Sequence, residues 1–351
     1  MIFLACAGII LGVIVGAFII ELLIAGLYPG VSVPKQDLKA RLQSSPDRKG
    51  EKFGLRKDVT FTVDGTSISA WLYLPEKMSS SVPCIVMANG LGGTKNMALD
   101  AYAVRFQEAG MAVLAFDYRY TGKSSGSPRQ LIWIPSQLED YAAAISYVRS
   151  LKQINPAKVA LWGTSLSGGH VLVTAAKDKN IACVAAQCPL LDGGEAAEAQ
   201  LHLVGIKHIF KMAGHGQRDL VRSWLGLSPH KIPIVGKPGT IALMADMDAW
   251  NAFEELAPDD FVNEACARIA IRMDKYRPIN QLDKIHCPVL LQVCDYDIAL
   301  PVNVVKKAEE RLGQFAQVIH YPIGHFDIYS GSNFEKAVND QLSFYSKYLN
   351  N

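Results

Sequence analysis

The chain has 351 residues, with 35 Lys and Arg against 33 Asp and Glu, so its net charge is +2. This near-neutral balance argues against a nucleic-acid-binding protein, whose phosphate-contacting surfaces are strongly basic. Half of the residues are apolar, which is enough for one large α/β domain with a buried sheet and an insertion.

The first predicted element is an apolar segment. Residues 1–27 carry a single charge, Glu21, and exceed the roughly 20 residues that cross a bilayer as a helix. A cleaved signal peptide, the alternative, normally has a basic start and a shorter apolar core. We therefore expect a membrane protein with one transmembrane helix over 1–28. No basic residue precedes this helix, whereas several follow it: Lys35, Lys39, Arg41, Arg48, Lys49 and Lys52. Because basic residues flank transmembrane helices on the cytoplasmic side, this predicts that the folded domain is cytoplasmic, beyond a tether over 29–56.

A hairpin opens the folded domain. Two alternating strands flank Asp64-Gly65 within residues 59–75, and Asp-Gly between such strands is a strong hairpin signal. Helical patterns then alternate with further strands, predicted near 84–88, 111–116, 158–162, 181–187, 288–294 and 316–321. This alternation predicts an α/β fold, a mostly parallel sheet with an antiparallel N-terminal hairpin.

Two glycine-containing loops follow strands in the first half of the chain. MANGLGGTK, residues 87–95, comes after an apolar strand and by itself is only a turn signal. Gly122-Lys-Ser-Ser-Gly126 has the Gly-Lys-Ser of a phosphate-binding loop, but Pro128 follows and no helix is predicted there. Asp117 occupies the position of the first loop glycine, and its carboxylate would repel phosphate. We interpret residues 117–126 as an ordinary loop after a strand.

Residues 159–170, VALWGTSLSGGH, are the most informative segment. An apolar strand leads into Gly163, turns at Ser165 and continues through two glycines into a helix. A serine on so sharp a turn needs small neighbours two residues away on each side, and Gly163 and Ser167 meet that requirement. The alternative is an ordinary glycine-flanked turn.

About a hundred residues separate the strand near 181–187 from the one near 288–294, far more than the usual loop of roughly 2–6 residues. We expect a helical cap domain over 193–280, inserted into a core made of 57–192 and 281–351. Its helix-like stretches are LHLVGIKHIF, LVRSWLGL, IALMADMDAWNAF and FVNEACARIAIRM. The candidate pocket residues are Trp224, Trp250, Phe253 and Met273 in this segment, together with Asn89 in the upstream glycine-rich loop.

Two polar loops follow strands near the C-terminus. PVLLQVCDYDIALP, residues 288–301, contains Asp295 and Asp297, and VIHYPIGHFDIY, residues 318–329, contains His325 after a glycine. A loop carboxylate or a single histidine is often merely solvent-exposed. Motifs that follow strands in the order Ser165, Asp297 and His325 along the chain are much harder to obtain by chance than any one of them alone.

Together these motifs resemble the α/β-hydrolase superfamily, and within it the dienelactone-hydrolase and Xaa-Pro dipeptidyl-peptidase-like group, with similarity also to polyketide transferases. The usual Gly-x-Ser-x-Gly becomes Gly163-Thr-Ser-Leu-Ser167 here. The resemblance covers roughly residues 55–350. It implies Ser165 as nucleophile, His325 as base and Asp297 as the acid of the triad, with Asp295 non-catalytic. The backbone N–H groups of Leu91 and Leu166 would form the oxyanion hole.

The resemblance implies a serine hydrolase that acts through an acyl-enzyme, and we expect no metal or cofactor. The apolar cap and the membrane tether favour a carboxylic ester with a lipophilic or lipid-like acyl chain. A peptidase, amidase, thioesterase or acyltransferase with the same triad remains open, as does a non-catalytic membrane-bound binding protein. An aminopeptidase would use acidic cap residues, for which the candidates are Glu254, Glu255, Asp259 and Asp260.

The cysteines indicate the redox environment. There are seven, an odd number, without close metal-type pairs. The following lie on or beside predicted core strands and are expected to be buried thiols in a reducing compartment: Cys84, Cys183, Cys188, Cys287 and Cys294. The oligomeric state is not indicated by the sequence.

Overall fold

An eight-stranded sheet forms the core of the protein. The computed structural model describes residues 2–27, 33–38, 56–78, 80–298, 301 and 303–349. The strands are β1 Arg56–Val63, β2 Thr66–Tyr73, β3 Val82–Ala88, β4 Ala112–Phe116, β5 Ile154–Thr164, β6 Val184–Gln187, β7 Lys231–Ile232, β8 Ala265–Cys266, β9 Val289–Cys294 and β10 Ala316–Tyr321. The sheet order is β1-β2-β4-β3-β5-β6-β9-β10, and β7 pairs with β8 separately. β1–β2 and β2–β4 are antiparallel and the other pairs of the large sheet are parallel. The predicted α/β fold class is confirmed.

Helices cover both faces of this sheet. The α-helices of the described residues are α1 Ile2–Leu27, α2 Leu99–Glu108, α3 Ile134–Ser150, α4 Leu166–Lys177, α5 Gly193–Val204, α6 Ile206–Trp224, α7 Met247–Leu256, α8 Asn303–Leu312 and α9 Gly331–Leu349. α3, α4 and α8 pack on one face of the sheet, where a large apolar cluster joins them to the strands. α2 and α9 cover the other face. Both faces of the parallel strands are therefore buried, as expected for such a sheet.

The predicted hairpin is formed by β1 and β2. Asp64 and Gly65 both have positive φ, 45° and 74°, and Val63 pairs with Thr66 across the turn. A two-residue turn with positive φ at both positions matches the twist of the flanking strands. The Asp-Gly sequence explains this turn because both residue types tolerate left-handed backbone.

The loop over residues 117–126 contains no helix, as the sequence analysis predicts. Its Asp117 forms a fully buried ion pair with Lys95, at 2.5 Å between Nζ and Oδ2. The same carboxylate accepts hydrogen bonds from the backbone N–H groups of Lys95 and Lys123. Asp117 therefore joins this loop to the glycine-rich loop after β3, which is a structural role and not phosphate binding.

The chain between β6 and β9 contains α5, α6, the β7–β8 pair and α7. One predicted helix-like stretch is wrong in type: Phe261–Met273 contains β8 and a 3-10 helix over Ala267–Ile271 and no α-helix. Another, Leu201–Phe210, is divided between two helices at Gly205, whose φ of 78° ends α5. The exact cap boundaries, 193–280, stay a prediction.

The N-terminal segment forms α1. Among residues that the structure describes, no helix combines the length and the apolarity needed to cross a membrane. The predicted transmembrane helix is therefore not supported. Most of the predicted tether lies outside the described residues, which include only its residues 33–38 and 56. The predicted cytoplasmic orientation stays a prediction.

The five cysteines predicted to be buried thiols are buried and free. Burial raises the pKa of the Cys84 and Cys183 thiols, since a thiolate is poorly solvated in the apolar core. The reducing compartment stays a prediction.

Candidate active site

Ser165 lies at the turn between β5 and α4, in strained backbone geometry. Its φ is 55° and its ψ is −120°, a region that residues other than glycine rarely adopt. A Cβ added to Gly163 would lie 2.2 Å from the carbonyl oxygen of Ser167. Only glycine fits at position 163, so the sequence itself enforces the close approach of strand and helix that exposes Ser165.

Ser167 explains why this chain departs from the usual glycine at the fifth position of the motif. Its hydroxyl donates a hydrogen bond to the carbonyl oxygen of Asn89 and forms a second one, 2.5 Å long, with the hydroxyl of Tyr118. Both contacts are buried. Ser167 therefore ties the turn that carries the nucleophile to the loop after β3.

Asn89 shapes that loop through its side chain. Its Oδ1 accepts a hydrogen bond from the N–H of Gly90 at 2.8 Å. Its Nδ2 donates to the carbonyl oxygens of Thr94 and Met97 at 3.0 and 2.7 Å. A Cβ on Gly90 would lie 2.9 Å from the Cβ of Ser165, so the loop backbone is packed directly against the nucleophile.

The two predicted oxyanion donors lie beside the nucleophile. Leu91 follows Gly90 and lines the same cavities as Ser165. Leu166 is the first residue of α4, where backbone N–H groups have no partner within the helix. Two backbone donors placed in this way can bind an oxyanion that forms at a carbonyl attacked by Ser165.

His325 and Asp297 form a buried pair. The Nδ1 of His325 lies 2.5 Å from the Oδ2 of Asp297, and the two side chains are only 7% and 3% exposed. Asp297 is held in the loop after β9 and His325 in the loop after β10, two neighbouring parallel strands. The other nitrogen, Nε2, is therefore the one available to the nucleophile.

The second aspartate of the same loop has a different partner. The Oδ1 of Asp295 lies 2.6 Å from the Nδ1 of His320, in a half-exposed pair at the surface. The structure thus separates the two aspartates by partner and by burial, and only Asp297 contacts the histidine beside Ser165.

Two cavities meet at Ser165 and His325. The large cavity has a volume of about 190 Å³, is partly open to solvent, and lies under α5, α6 and α7. Its wall is mostly apolar and includes Leu190, Ala196, Val204, Ile209, Met212, Leu243, Ala249 and Met273. The small cavity is lined by the glycine-rich loop, Phe253, Leu256 and Tyr329. No hydrogen bond joins the described side chains of Ser165 and His325, and such bonds often tighten only when substrate binds.

The predicted pocket residues divide into two groups. Met273 lines the large cavity, and Asn89 and Phe253 line the small one. Trp224 does not line either cavity: it ends α6 and is 59% exposed. Trp250 also lines neither: it is buried in the apolar cluster that contains Ala249 and Phe253, with Lys237 above its ring. Those two assignments are corrected.

The four acidic cap residues considered for an aminopeptidase do not line either cavity at Ser165. Glu255, Asp259 and Asp260 are exposed instead. The carboxylate that does lie near the reaction centre is Asp246, which sequence reasoning missed. It lines the large cavity together with Ser165 and His325. Its only sequence signal is its position as the N-cap residue of α7.

Burial and the nearby negative charges act in opposite directions on the pKa of His325. Burial disfavours the charged imidazole, but the charge of Asp297, its hydrogen bond and the charge of Asp246 outweigh burial. The pKa of His325 is therefore raised above its usual value. A raised pKa favours the imidazolium form of His325, which suits a group that accepts a proton.

Among the described residues, one group has metal-type ligand atoms close together: Cys188, Asp297 and His325. The Asp297–His325 hydrogen bond already uses the atoms that would face an ion. The hydrogen bond that the Cys188 thiol makes with Cys294, together with burial, raises the pKa of Cys188, so its thiol stays protonated and is a poor ligand. The group fits a triad better than a metal site.

Comparison with known proteins gives the family. Residues 64–212 match the sequence family described as X-Pro dipeptidyl-peptidase (S15 family). The chain is 42% identical over 289 residues to the quorum-quenching protein AidA of Acinetobacter baumannii, covering 82% of this chain and 93% of that protein. The chain is an α/β-hydrolase of the X-Pro dipeptidyl-peptidase-like family. The resemblance inferred from the motifs is thus confirmed.

Other relatives of this α/β-hydrolase extend over most of its length. It is 28% identical to the polyketide transferase ATR5 of Stachybotrys chlorohalonatus, over 84% of this chain and 98% of that protein. Among solved structures it resembles the α/β hydrolase GrgF from a Penicillium species, with a TM-score of 0.71 and 26% identity, covering 84% of this chain and 99% of GrgF. These relatives place the hydrolase in a group whose named activities differ.

Proposed function

We propose that this α/β-hydrolase cleaves carboxylic esters, linear or cyclic, through Ser165, His325 and Asp297. The observation that carries the proposal is the buried Asp297–His325 pair at the junction of two cavities, opposite a serine held on a strained turn. The similarity to a quorum-quenching protein over nearly its whole length supports a small-molecule substrate.

The proposed mechanism follows from the positions of these groups. Nε2 of His325 removes the proton from Ser165 as its Oγ attacks the ester carbonyl, while Asp297 fixes the proton on Nδ1 and stabilises the imidazolium. The N–H groups of Leu91 and Leu166 bind the oxyanion of the tetrahedral intermediate. His325 then protonates the leaving alcohol, and water activated by the same histidine hydrolyses the acyl-enzyme.

The two cavities suggest how the substrate is oriented. The large apolar cavity under the cap helices suits a lipophilic acyl chain, and the small one suits the leaving alcohol. Each CH₂ buried in an apolar wall contributes about 0.8 kcal/mol, or roughly fourfold in kcat/KM, until the cavity is filled.

Thioester cleavage or acyl transfer is the second candidate. It is favoured by relatives with those names, including the thiohydrolase aneE of Aspergillus aculeatus, 37% identical over 131 residues that cover 37% of this chain and 40% of aneE. The same acyl-enzyme serves either reaction, and the second step would differ only in its acceptor.

Fluorophosphonate labelling of the full-length protein tests the nucleophile. Labelling should disappear in Ser165→Ala and persist in Ser343→Ala, a control at an exposed serine of α9. Hydrolysis of p-nitrophenyl esters of increasing chain length then measures the acyl cavity. A folded protein that is not labelled, or equal labelling of both variants, would refute the proposal.

Matched decanoyl substrates separate the candidate activities. The p-nitrophenyl ester should be cleaved far faster than the p-nitroanilide, and hydrolysis should exceed transfer to added alcohol. A preference for the decanoyl N-acetylcysteamine thioester over an equally reactive ester would favour the thioesterase. A preference for Ala-Pro p-nitroanilide would favour the peptidase.

A further inference from the structure

The loop that carries His325 has to reach back across the sheet. It spans residues 322–330, between β10 and α9, whereas Ser165 directly follows β5. Two strands, β6 and β9, separate β5 from β10. With a spacing of about 4.8 Å between neighbouring strands, the ends of β5 and β10 are roughly 14 Å apart. Ser165 and His325 nevertheless line the same two cavities, so contacts outside the sheet must set the distance between them.

One hydrogen bond joins this loop directly to the segment that carries the nucleophile. The hydroxyl of Tyr329, near the end of the loop, is hydrogen-bonded to the hydroxyl of Thr164. Thr164 is the last residue of β5 and the chain neighbour of Ser165. Burial raises the pKa of Tyr329 above its usual value, so its phenol keeps the proton that the hydrogen bond needs. The bond therefore spans the same gap as Ser165 and His325.

The Thr164 end of this bond is held by the core. Its Oγ1 accepts a hydrogen bond of 3.3 Å from Nε2 of Gln187, and Oε1 of Gln187 accepts one of 3.0 Å from Nε2 of Gln341. Gln341, in α9, also accepts a hydrogen bond of 3.0 Å from the indole N–H of Trp162. All four side chains are fully buried. A buried network whose members are hydrogen-bonded is rigid, so it fixes the Thr164 hydroxyl relative to β5.

The Tyr329 end is linked to His325 through a stiff stretch of the loop. The backbone N–H of Gly324 donates to Oδ2 of Asp327 at 2.8 Å. The backbone N–H of Tyr329 donates to the carbonyl oxygen of Phe326 at 3.2 Å, in the short 3-10 helix that ends the loop. Since these bonds bracket His325, a shift of Tyr329 is passed on to the imidazole.

We propose that Thr164 and Tyr329 are a positioning pair, whose hydrogen bond sets the distance between Nε2 of His325 and the hydroxyl of Ser165. The inference rests on the proposed function, in which His325 first removes the proton of Ser165 and then protonates the leaving alcohol. Each transfer requires the imidazole within hydrogen-bond reach of its partner. A displacement of about 1 Å in such a site can cost on the order of 10²-fold in rate.

Two octanoyl esters distinguish a misplaced histidine from a weakened fold. In p-nitrophenyl octanoate the leaving group departs without a proton, so His325 acts only as a base. In methyl octanoate the leaving methoxide must also be protonated, so His325 acts as base and acid. Tyr329→Phe should therefore lower kcat/KM by about 10-fold for the first ester and about 100-fold for the second. A smaller folded fraction would lower both by the same factor.

Substitution of the partner shows whether the hydrogen bond is responsible. Thr164 lines neither cavity, so Thr164→Val leaves the substrate-contacting wall unchanged and should reproduce both losses. The double variant should lie within about twofold of the weaker single variant, because the same bond is lost only once. Thr164→Ser keeps the hydroxyl and should stay within about threefold of the wild-type rates.

Tyr345→Phe is the matched control. It also removes a buried hydroxyl bonded to β5, which donates to the carbonyl oxygen of Leu161 at 2.8 Å, but Tyr345 lies in α9 and not in the histidine loop. The ratio of the two rates should stay at its wild-type value in this variant. Thermal unfolding of every variant checks that the fold is intact.

The outcomes separate this inference from the proposed function. Equal losses for the two esters in Tyr329→Phe, or losses that multiply in the double variant, overturn the positioning role while ester hydrolysis stands. The same change of ratio in Tyr345→Phe also overturns it, because any buried hydroxyl would then have the effect. If the wild-type protein cleaves neither ester and Ser165 is not labelled, the proposed function fails and the positioning role fails with it.

Discussion

Replacing Asp297 with Asn tests whether Asp297 or the neighbouring Asp295 is the acid of the proposed triad. In the proposed mechanism, the buried pair between Asp297 and His325, 2.5 Å long, fixes the proton on Nδ1 and stabilises the imidazolium that forms during attack. An amide of the same shape removes the charge and can donate to Nδ1, which favours the wrong tautomer. In triad enzymes this costs roughly 10⁴-fold in kcat, or about 5 kcal/mol.

The loss here should be somewhat smaller, roughly 10³- to 10⁴-fold, because the charge of Asp246 also acts on His325 and survives the substitution. Asp295→Asn is the matched control. Its partner is His320, in a half-exposed pair, and such surface pairs contribute at most about 1 kcal/mol to stability. Its kcat should stay within about twofold of the wild-type value.

The assay is hydrolysis of p-nitrophenyl octanoate, with thermal unfolding of both variants as the check on folding. The pH profile gives a second readout. A base with a raised pKa makes kcat/KM rise with pH through a value above the usual 6.5, and loss of the Asp297 charge should shift that rise to lower pH. A larger loss in Asp295→Asn than in Asp297→Asn would refute the assignment of the triad acid.

Three further predictions concern the surroundings of the triad. Gly163→Ala places a Cβ 2.2 Å from a carbonyl oxygen, so labelling by fluorophosphonate should fall by more than about 100-fold. The control Gly214→Ala, which has open space around its Cβ, should not change the labelling. Equal labelling of the two variants would contradict the close approach of β5 and α4. Ser167→Ala removes both buried hydrogen bonds of that hydroxyl. It should lower the free energy of unfolding by about 1–3 kcal/mol in urea titrations and also reduce kcat. An unchanged kcat would show that the hydrogen bond between Ser167 and the loop after β3 does not contribute to activity. Burial lowers the pKa of His170 to about 3, so below pH 6.5 the unfolded chain binds a proton that the folded protein excludes, and stability should fall by roughly 2 kcal/mol between pH 6.5 and pH 5. His170→Asn should weaken that pH dependence by one proton, and identical slopes in urea titrations would disprove it.

Local sequence determined the secondary structure wherever the local requirement was strong. Asp64-Gly65 predicted the hairpin because few residue pairs adopt two successive positive φ angles. Gly163, Ser165 and Ser167 predicted the sharp turn for the same kind of reason, since only small residues allow the strand and the helix to approach. Where no such requirement existed the prediction failed, as in the stretch after Phe261, whose apolar pattern fits a helix and a strand alike.

The residues of the candidate site were predicted from the order of the motifs along the chain and from the resemblance to the α/β-hydrolases. The tertiary structure decided which of their side chains meet. The sequence favoured Asp297 over Asp295, but only the packing of β9 against β10 shows that Asp297 meets His325 while Asp295 meets His320. Both aspartates lie in one short loop. A sequence cannot show which of them points inward, because that depends on how the loop is held by its neighbours.

The cap shows the limit of sequence reasoning most clearly. Four cap residues were expected to line the pocket. Met273 and Phe253 line the cavities at Ser165, whereas Trp224 is exposed and Trp250 is buried outside both cavities. Asp246 was missed because a helix N-cap gives the same sequence signal wherever the helix lies. The turn that carries Ser165 was thus determined by the local sequence, since a strained turn requires particular residues. The substrate cavity was decided by long-range packing, since the face a cap residue presents depends on how helices from distant parts of the chain meet.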